Sequence, residues 1–266
     1  MNQARTASEA AVPHDGETGR VLVQDEAGIR IVRLDRPQKK NALTLAMYAQ
    51  MERALREADQ SDAVRCVVIA GTPGVFTAGN DIADFMKAAS GGGDWDRAAM
   101  RSLDALARCR KPMVAAVGGL AVGIGTTMLL HCDHVVMARD ASLSTPFLKL
   151  ALVPEAASTL LAPLRMGHAR AFSLLAMGRP LSAAEAKEAG LVNTVVDAAD
   201  VEAAALDAAR EIAALPPRAL AIARALMRGP IEAVIGRMEE EATHYQDLLR
   251  SDEARAAFQA FLARRK

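Results

Sequence analysis

Residues 113–133 read MVAAVGGLAVGIGTTMLLHCD, and this stretch decides which fold the chain can adopt. Its first part, 113–130, has no charged side chain and reaches the length at which a membrane-spanning helix has to be considered. Four glycines interrupt it: Gly118, Gly119, Gly123 and Gly125. Because glycine at this density breaks a helix, we predict a buried strand at 113–117, then a glycine-rich loop, then a short buried helix. Such a loop lets backbone amides come close to a bound group.

Length and charge balance narrow the class of protein. The chain has 266 residues, of which 51% are apolar and 24% charged, so it can bury a large core and is too apolar for general disorder. Lys plus Arg and Asp plus Glu number 32 each. This balance argues against binding to nucleic acid or to an anionic membrane surface, because both demand an excess of positive charge. We expect neither a nucleic acid nor a membrane as partner.

Cysteines and histidines give no sign of a disulfide framework or a metal site. The three cysteines are Cys66, Cys109 and Cys132. They form no CxxC pair, which predicts reduced, buried thiols and a cytoplasmic location. His131 and His134 lack a third ligand at a suitable spacing, so no metal is predicted. Residues 1–19 lack the apolar stretch of a secretory signal, and we interpret them as a flexible N-terminal tail.

Strands and helices alternate along most of the chain. Apolar runs predict strands at 20–24, 29–34, 65–70, 113–117 and 133–138, and amphipathic runs predict helices that begin near Thr44, Asp81 and Asp96. This alternation predicts an α/β fold over a core domain at 20–199. From 200 to 266 only helices are predicted, and their apolar stripes cover either the core or a neighbouring subunit.

Two turns, 76–81 and 122–126, each end where a helix is predicted to begin. Backbone N–H groups at a helix start can hold an anion or a developing oxyanion. Each turn alone is more simply explained as a helix cap, with Asp81 capping its own helix. The GxG at 123–125 lacks the third glycine and the GK[ST] sequence of nucleotide-binding loops. Two such turns in one chain could together hold a developing oxyanion, and a reaction that forms an oxyanion through proton removal needs a catalytic base elsewhere in the chain.

Glu155 is the only acidic residue between Asp140 and Glu185, and its sequence neighbours are apolar. A carboxylate in these surroundings is either an exposed residue at a helix start, where it interacts favourably with the helix dipole, or a partly desolvated base with a raised pKa. The residues alone leave both interpretations open.

Several motifs, in order, resemble those of the crotonase, or enoyl-CoA hydratase/isomerase, superfamily. They are LDRP at 34–37 with KNAL at 40–43, FTAGNDI at 76–82, the glycine-rich run at 115–125 followed by Cys132 and Asp133, and Gly190 to Val192 after Glu185. The resemblance covers residues 20–266. It implies a crotonase-like α/β spiral of ββα turns with a C-terminal helical trimerisation region, and a homotrimer or a hexamer that is a dimer of trimers.

The resemblance also implies an acyl-CoA thioester substrate and no separate cofactor, because coenzyme A is part of the substrate. The thioester oxygen would lie between two backbone N–H groups, which by position are those of Ala78 and Ile124. The residues implied to contact CoA or the acyl group are Arg36, Lys40, Ala42, Leu43, Asn80, Asp81, Ile82, Gly123, Pro146, Phe147 and Pro154.

Two departures from the family pattern bear on the reaction. Hydratases of this family carry two glutamates that hold and activate water, and the corresponding positions here are Thr127 and Phe147. Neither is a carboxylate, and Phe147 would expel the water. The run from Thr145, with Glu155 directly after Pro154, instead resembles the Δ3,Δ2-enoyl-CoA isomerase branch. The resemblance therefore implies an isomerase with Glu155 as its single base; the alternatives are an enoyl-CoA hydratase and a non-catalytic acyl-CoA-binding protein.

Overall fold

The computed structural model describes residues 19–89 and 95–263. The strands in these residues are β1 (Arg20–Glu26), β2 (Ile29–Asp35), β3 (Cys66–Ala70), β4 (Gly74–Thr77), β5 (Met113–Val117), β6 (Gly119–Val122), β7 (His134–Ala138), β8 (Ser142–Ser144), β9 (Leu181–Ser182) and β10 (Thr194–Val196). The helices are α1 (Leu45–Gln60), α2 (Ile82–Ala89), α3 (Trp95–Arg108), α4 (Ile124–Thr127), α5 (Ser158–Leu175), α6 (Ala183–Glu188), α7 (Val201–Ala214), α8 (Pro217–Arg228), α9 (Ile231–Leu249) and α10 (Asp252–Ala263). The N-terminal tail predicted at 1–19 lies outside the described residues except for Gly19.

Two sheets form the core. Strands β1, β2, β3, β5, β7 and β10 make a six-stranded sheet in that order, and β4, β6, β8 and β9 make a four-stranded sheet. The β1–β2 hairpin is antiparallel, and β2 to β10 run parallel across the first sheet. The pairs β3–β4, β5–β6 and β7–β8 each place one strand in each sheet, and a helix follows each pair. This repeated ββα turn confirms the predicted crotonase-like α/β fold.

Local sequence accounts for the best-predicted elements. The hydroxyl of Thr44 accepts a hydrogen bond from the Met47 N–H at 3.3 Å and caps α1, whose apolar residues recur at helical spacing and are buried. All five residues of β5 are buried, as expected for a parallel strand covered on both faces. The three cysteines are buried and unpaired, as predicted.

Strand β6 occupies the segment predicted to be a glycine-rich loop, and β4 lies where the sequence predicts no strand and the turn at 76–81 begins. Each is only four residues long and contains glycine, so the residues alone carry little strand signal. The two strands pair in parallel, with Gly74 opposite Gly119. A Cβ atom on Gly119 would lie 1.9 Å from the Gly74 carbonyl oxygen, so this close approach requires glycine. The sequence misses both strands because each is determined by its pairing partner, which lies far away in sequence.

The C-terminal helices pack on the core of their own chain. Helix α7 lies against β3, β5 and β7 and buries Val201, Ala205 and Ala209. Helix α9 packs against α3 and α5, and α10 packs against α9. The helices predicted after residue 200 are present, and α7 belongs to the layer that covers the six-stranded sheet. No described helix is both long enough and apolar enough to cross a bilayer.

Candidate active site

A cavity of about 610 Å³ lies where the ends of β4 and β6 meet the C-terminal helices. Its walls include the segment at 38–42, the turn at 78–83, the turn at 122–124, residues between Pro146 and Leu152, and aromatic residues of α9 and α10. The volume falls in the range of about 300–1,000 Å³ typical of small-molecule sites. The cavity is therefore the candidate binding site.

The two turns that were singled out in the sequence are in contact. Gly79 has a φ of +87°, and a Cβ atom on it would lie 2.9 Å from the Val122 carbonyl oxygen. A Cβ atom on Gly125 would lie 2.5 Å from Cγ2 of Thr77. Only glycine permits such a close approach of the two chain segments. Glycine thus brings both turns to one side of the cavity.

Each turn presents a backbone N–H group to the cavity wall. Ile124 is the first residue of α4, so its N–H has no acceptor within the helix. In the other turn, Leu43 donates to the Gly79 carbonyl at 2.8 Å, and Asp81 donates to the Leu43 carbonyl at 2.9 Å. The Asn80 N–H between them has no backbone acceptor in the described part of the chain. Asn80 and Ile124 both line the cavity.

The Ala78 N–H is engaged elsewhere. It donates to the Lys40 carbonyl at 2.8 Å, although Ala78 itself lines the cavity. This bond contradicts the prediction that Ala78 offers a free donor, because a backbone N–H already pointing at a carbonyl is not available to a ligand. The next unengaged N–H in the turn is that of Asn80.

Glu155 lies between Pro154 and the start of α5, and its side chain is partly buried. Its Oε1 accepts a hydrogen bond from the Thr127 hydroxyl at 2.9 Å. The same hydroxyl lies 3.4 Å from the Gly123 carbonyl oxygen, and its single proton favours the shorter contact to the carboxylate. The helix α4 begins at Ile124 and ends at Thr127. Its first residue therefore supplies the free N–H group, and its last residue supplies the hydroxyl that binds the Glu155 carboxylate.

The environment of Glu155 shifts the pKa of its carboxyl group towards neutral pH. Burial raises the pKa of Glu155 to about 8, the negative charge of Glu241 adds to this rise, and the hydrogen bond from Thr127 opposes it. The interpretation as a partly desolvated base is therefore favoured over the exposed helix-start residue.

Glu155 lines a second, smaller cavity of about 30 Å³, adjacent to the large one. Helices α3 and α9 form most of its wall, through Ala99, Met100, Leu103, Met238, Ala242, Tyr245 and Gln246. Tyr245 lines both cavities and so stands at their boundary. The carboxylate and the two free amides thus lie on neighbouring chambers rather than in one.

Most residues implied by the resemblance line the large cavity. They are Lys40, Ala42, Ala78, Asn80, Asp81, Ile82, Gly123, Ile124, Pro146 and Phe147. Arg36, Leu43 and Pro154 do not line it, which corrects their expected contact with the ligand. Arg36 is buried and pairs with Asp81 at 2.6 Å, and Leu43 is buried behind the 78–81 turn, so both support the wall from behind.

Other residues of the site went unnoticed in the sequence. The Tyr48 hydroxyl donates to Oδ1 of Asn80 at 2.6 Å and so fixes the side chain of the residue with the free N–H. Phe258 and Phe261 of α10 line the cavity. Glu241 of α9 lies behind Glu155 and is buried. The helical periodicity of α1 and α9 indicates which faces are buried, but nothing in it indicates that they meet this site.

Comparison with known proteins agrees with this architecture. Residues 24–266 match the family described as Enoyl-CoA hydratase/isomerase. The 1,2-epoxyphenylacetyl-CoA isomerase of Escherichia coli (strain K12) is 32% identical over 251 residues, which cover 92% of this chain and 96% of that protein. A probable enoyl-CoA hydratase of Rhizobium meliloti (strain 1021) is 30% identical over 260 residues, which cover 92% of this chain and 96% of that protein.

A solved structure is also similar along nearly the whole chain. Pseudomonas aeruginosa OdaA superimposes with a TM-score of 0.87 and 44% identity, covering 91% of this chain and 98% of that one. Isomerase and hydratase names both occur among the relatives, so similarity alone does not separate the two reactions. From the fold, the two turns in contact and these matches, we conclude that the chain belongs to the enoyl-CoA hydratase/isomerase family.

Proposed function

We propose that the protein is a Δ3,Δ2-enoyl-CoA isomerase that uses Glu155 as its single base. The observation that carries this proposal is the contact between Glu155 and Thr127. A hydratase of the family would have a glutamate carboxylate at position 127. Here the hydroxyl of Thr127 occupies that position and donates a hydrogen bond to the carboxylate of Glu155. Phe147, at the second hydratase position, is buried against the cavity wall.

One carboxylate suffices for the reaction. The ionised Glu155 removes a proton from C2 of a 3-enoyl thioester, and the electron pair passes to the thioester oxygen as a dienolate. The resulting carboxylic acid returns the proton to C4, so that the double bond moves from C3–C4 to C2–C3. Nothing is oxidised or reduced and no cofactor is consumed.

The dienolate oxygen is held by the backbone N–H groups of Asn80 and Ile124. Both are unengaged within the described backbone network and belong to turns that glycine brings into contact. A preorganised donor aimed at developing negative charge lowers the barrier by about 3 kcal/mol. The donors cost no reorganisation, because the turns are already in place.

The reacting carbons lie where the two cavities meet. Tyr245 lines both cavities, and Glu155 lines the smaller one, so the acyl chain passes Tyr245 to reach the base. A carboxyl group whose pKa is near the working pH can both accept and return a proton efficiently. The pKa of Glu155, raised by burial to about 8, meets this condition.

The test is a side-by-side assay of 3-hexenoyl-CoA isomerisation and crotonyl-CoA hydration. We expect the unmodified protein to favour isomerisation, and Glu155→Gln to abolish it while binding of an acyl-CoA product is retained. Glu239→Gln is the matched control, because it makes the same substitution at an exposed position of α9. Faster hydration than isomerisation, or turnover by Glu155→Gln, would overturn the proposal.

We also propose that the chain forms a homotrimer, alone or as a dimer of trimers. Large apolar side chains that remain exposed on α5 and α8, namely Leu164, Leu226 and Met227, support such contacts. Light scattering coupled to size-exclusion chromatography measures the mass directly, and a monomeric mass would reject this assembly.

A further inference from the structure

Glu241 has a buried side chain on α9 that the proposed mechanism does not use, with only 4% of its surface exposed. Its Oε2 accepts a hydrogen bond from the Ala157 N–H at 2.7 Å. Its Oε1 accepts from the N–H of Thr159 at 2.9 Å and from the Thr159 hydroxyl at 2.6 Å. All three groups donate to the carboxylate, and these hydrogen bonds favour its ionised form, in opposition to burial, which raises the pKa of Glu241.

These contacts fall on a turn of unusual backbone conformation. Ala156 and Ala157, directly after Glu155, have φ of +62° and +54°, in the left-handed region that residues other than glycine rarely adopt. His131 donates from Nε2 to the Ala156 carbonyl at 2.8 Å. Burial lowers the pKa of His131 to about 4, so its ring is neutral and gives this bond without adding charge. Such a turn persists only when its surroundings hold it.

The way in which α5 is capped differs from an ordinary helix start. Its N-cap residue, Ala157, has no side chain that can accept a hydrogen bond. The acceptor for the Thr159 N–H, in the first turn of α5, comes instead from Glu241, 82 residues further along the chain. The position of the turn after Glu155 therefore depends on how α9 docks. Tyr245, one helical turn beyond Glu241, lines the same small cavity as Glu155.

We propose that Glu241 is a positioning residue for the isomerisation, holding the left-handed turn that aims the Glu155 carboxylate at the reacting carbons. This inference rests on the proposed function of Glu155. Glu241 is not among the residues that line either cavity, and it holds the turn through the Ala157 N–H and through the N–H and hydroxyl of Thr159.

Glu241 has a second effect through its charge. Tyr48 and Tyr245 face Glu155, Arg237 on α9 interacts with Glu241, and His131 contacts the turn between the two carboxylates. The nearby wall from α3 contributes only apolar residues. The negative charge of Glu241 disfavours a second negative charge on Glu155 and so raises the pKa of Glu155. Removing that charge lowers it.

The experiment compares Glu241→Gln with Glu239→Gln, the exposed control on the same helix. Steady-state kinetics with 3-hexenoyl-CoA are measured across pH. For Glu241→Gln we expect kcat to fall on the order of tenfold to a hundredfold with little change in KM, as for a displaced catalytic group. The acidic limb of the pH profile of kcat/KM moves to lower pH. A purely structural role would lower the Tm but leave this profile in place.

A second pair of variants, Thr159→Val and Thr159→Ser, keeps the proposal testable if Glu241→Gln does not fold. The Thr159 hydroxyl donates to Glu241 and accepts from Arg237 at 3.2 Å. Thr159→Val removes this link but leaves the carboxylate, so we expect a smaller loss of kcat and no shift of the profile to lower pH. Thr159→Ser restores the hydroxyl and the rate.

The outcomes separate the two proposals. Folded Glu241→Gln with the kcat and pH profile of the unmodified protein overturns the positioning role; if that variant does not fold, an unchanged kcat in Thr159→Val overturns it. In both cases, isomerisation that is lost in Glu155→Gln leaves the proposed function standing. Absence of isomerisation in the unmodified protein overturns both.

Discussion

Replacing Thr127 by valine tests whether its hydroxyl tunes the base. Thr127 is fully buried, and its hydroxyl donates to Oε1 of Glu155 at 2.9 Å. Valine has nearly the same shape but cannot donate, so the substitution removes the hydrogen bond and leaves the carboxylate in place. Because this bond stabilises the ionised form and lowers the pKa of Glu155, its loss makes that pKa rise.

The magnitude follows from the strength of one charged hydrogen bond. Such a bond contributes about 1.5–3 kcal/mol, and one pKa unit corresponds to about 1.4 kcal/mol. We therefore expect the pKa of Glu155 to rise by about one to two units above its present value of about 8. At neutral pH the ionised fraction then falls from roughly one tenth to roughly one hundredth or less. Activity there drops by about tenfold or more.

The assay is the pH dependence of kcat/KM for 3-hexenoyl-CoA in the unmodified protein, Thr127→Val and Thr127→Ser. The valine variant should recover activity in alkaline buffer, and the serine variant should keep the original profile. The direction is opposite to that expected for Glu241→Gln. An unchanged profile in Thr127→Val would show that the hydroxyl does not tune the base, and an equal loss of activity at every pH would show that it acts on something else.

Further substitutions test the energetics of the site. Burial raises the pKa of Glu155 from 4.5 to about 8, so the folded state binds that proton more tightly, and the resulting stability is complete below pH 4.5 and lost as the pH rises through about 8. Glu155→Gln should therefore have a Tm a few degrees higher than the unmodified protein above about pH 8, with the excess shrinking towards pH 5, as calorimetry can measure. Arg36→Met removes the ion-pair partner of the partly buried Asp81, which keeps the hydrogen bonds from the N–H groups of Ala83 and Asp84, and should lower the free energy of unfolding by about 3 kcal/mol in urea titration. Gly125→Ala drives a Cβ atom against Thr77 and should cost about 1–3 kcal/mol and reduce turnover.

The predictions for Arg36→Met and Gly125→Ala each have a control in the same chain. Arg20 forms an exposed ion pair with Asp35, so Arg20→Met should cost only about 0–1 kcal/mol. Gly236 lies in α9 with open space around it, so Gly236→Ala should stabilise the protein by up to about 1 kcal/mol. Equal effects of Arg36→Met and Arg20→Met would contradict the argument from burial. Full stability of Gly125→Ala would contradict the close packing of the two turns.

Much of the fold could be predicted from the sequence alone. The buried strand Met113–Val117, the helix capped by Thr44 and the helices after residue 200 depend on hydrophobic periodicity and capping, which act between near neighbours in sequence. The glycine-rich loop after residue 117 indicated that backbone amides come close to a bound group, and Glu155 was recognisable as a lone carboxylate among apolar residues. These features are local, so the sequence by itself determined them.

Only the tertiary structure decided what depends on distant partners. Strands β4 and β6 form because they pair with each other. The Ala78 N–H is unavailable to a ligand because it donates to the Lys40 carbonyl, so the unengaged N–H of that turn is the one of Asn80. The pKa of Glu155 depends on desolvation and on Glu241, which α9 brings to the turn. Hydrogen-bond partners and burial are set when separate segments pack together, and no local pattern of residues records which segments those are.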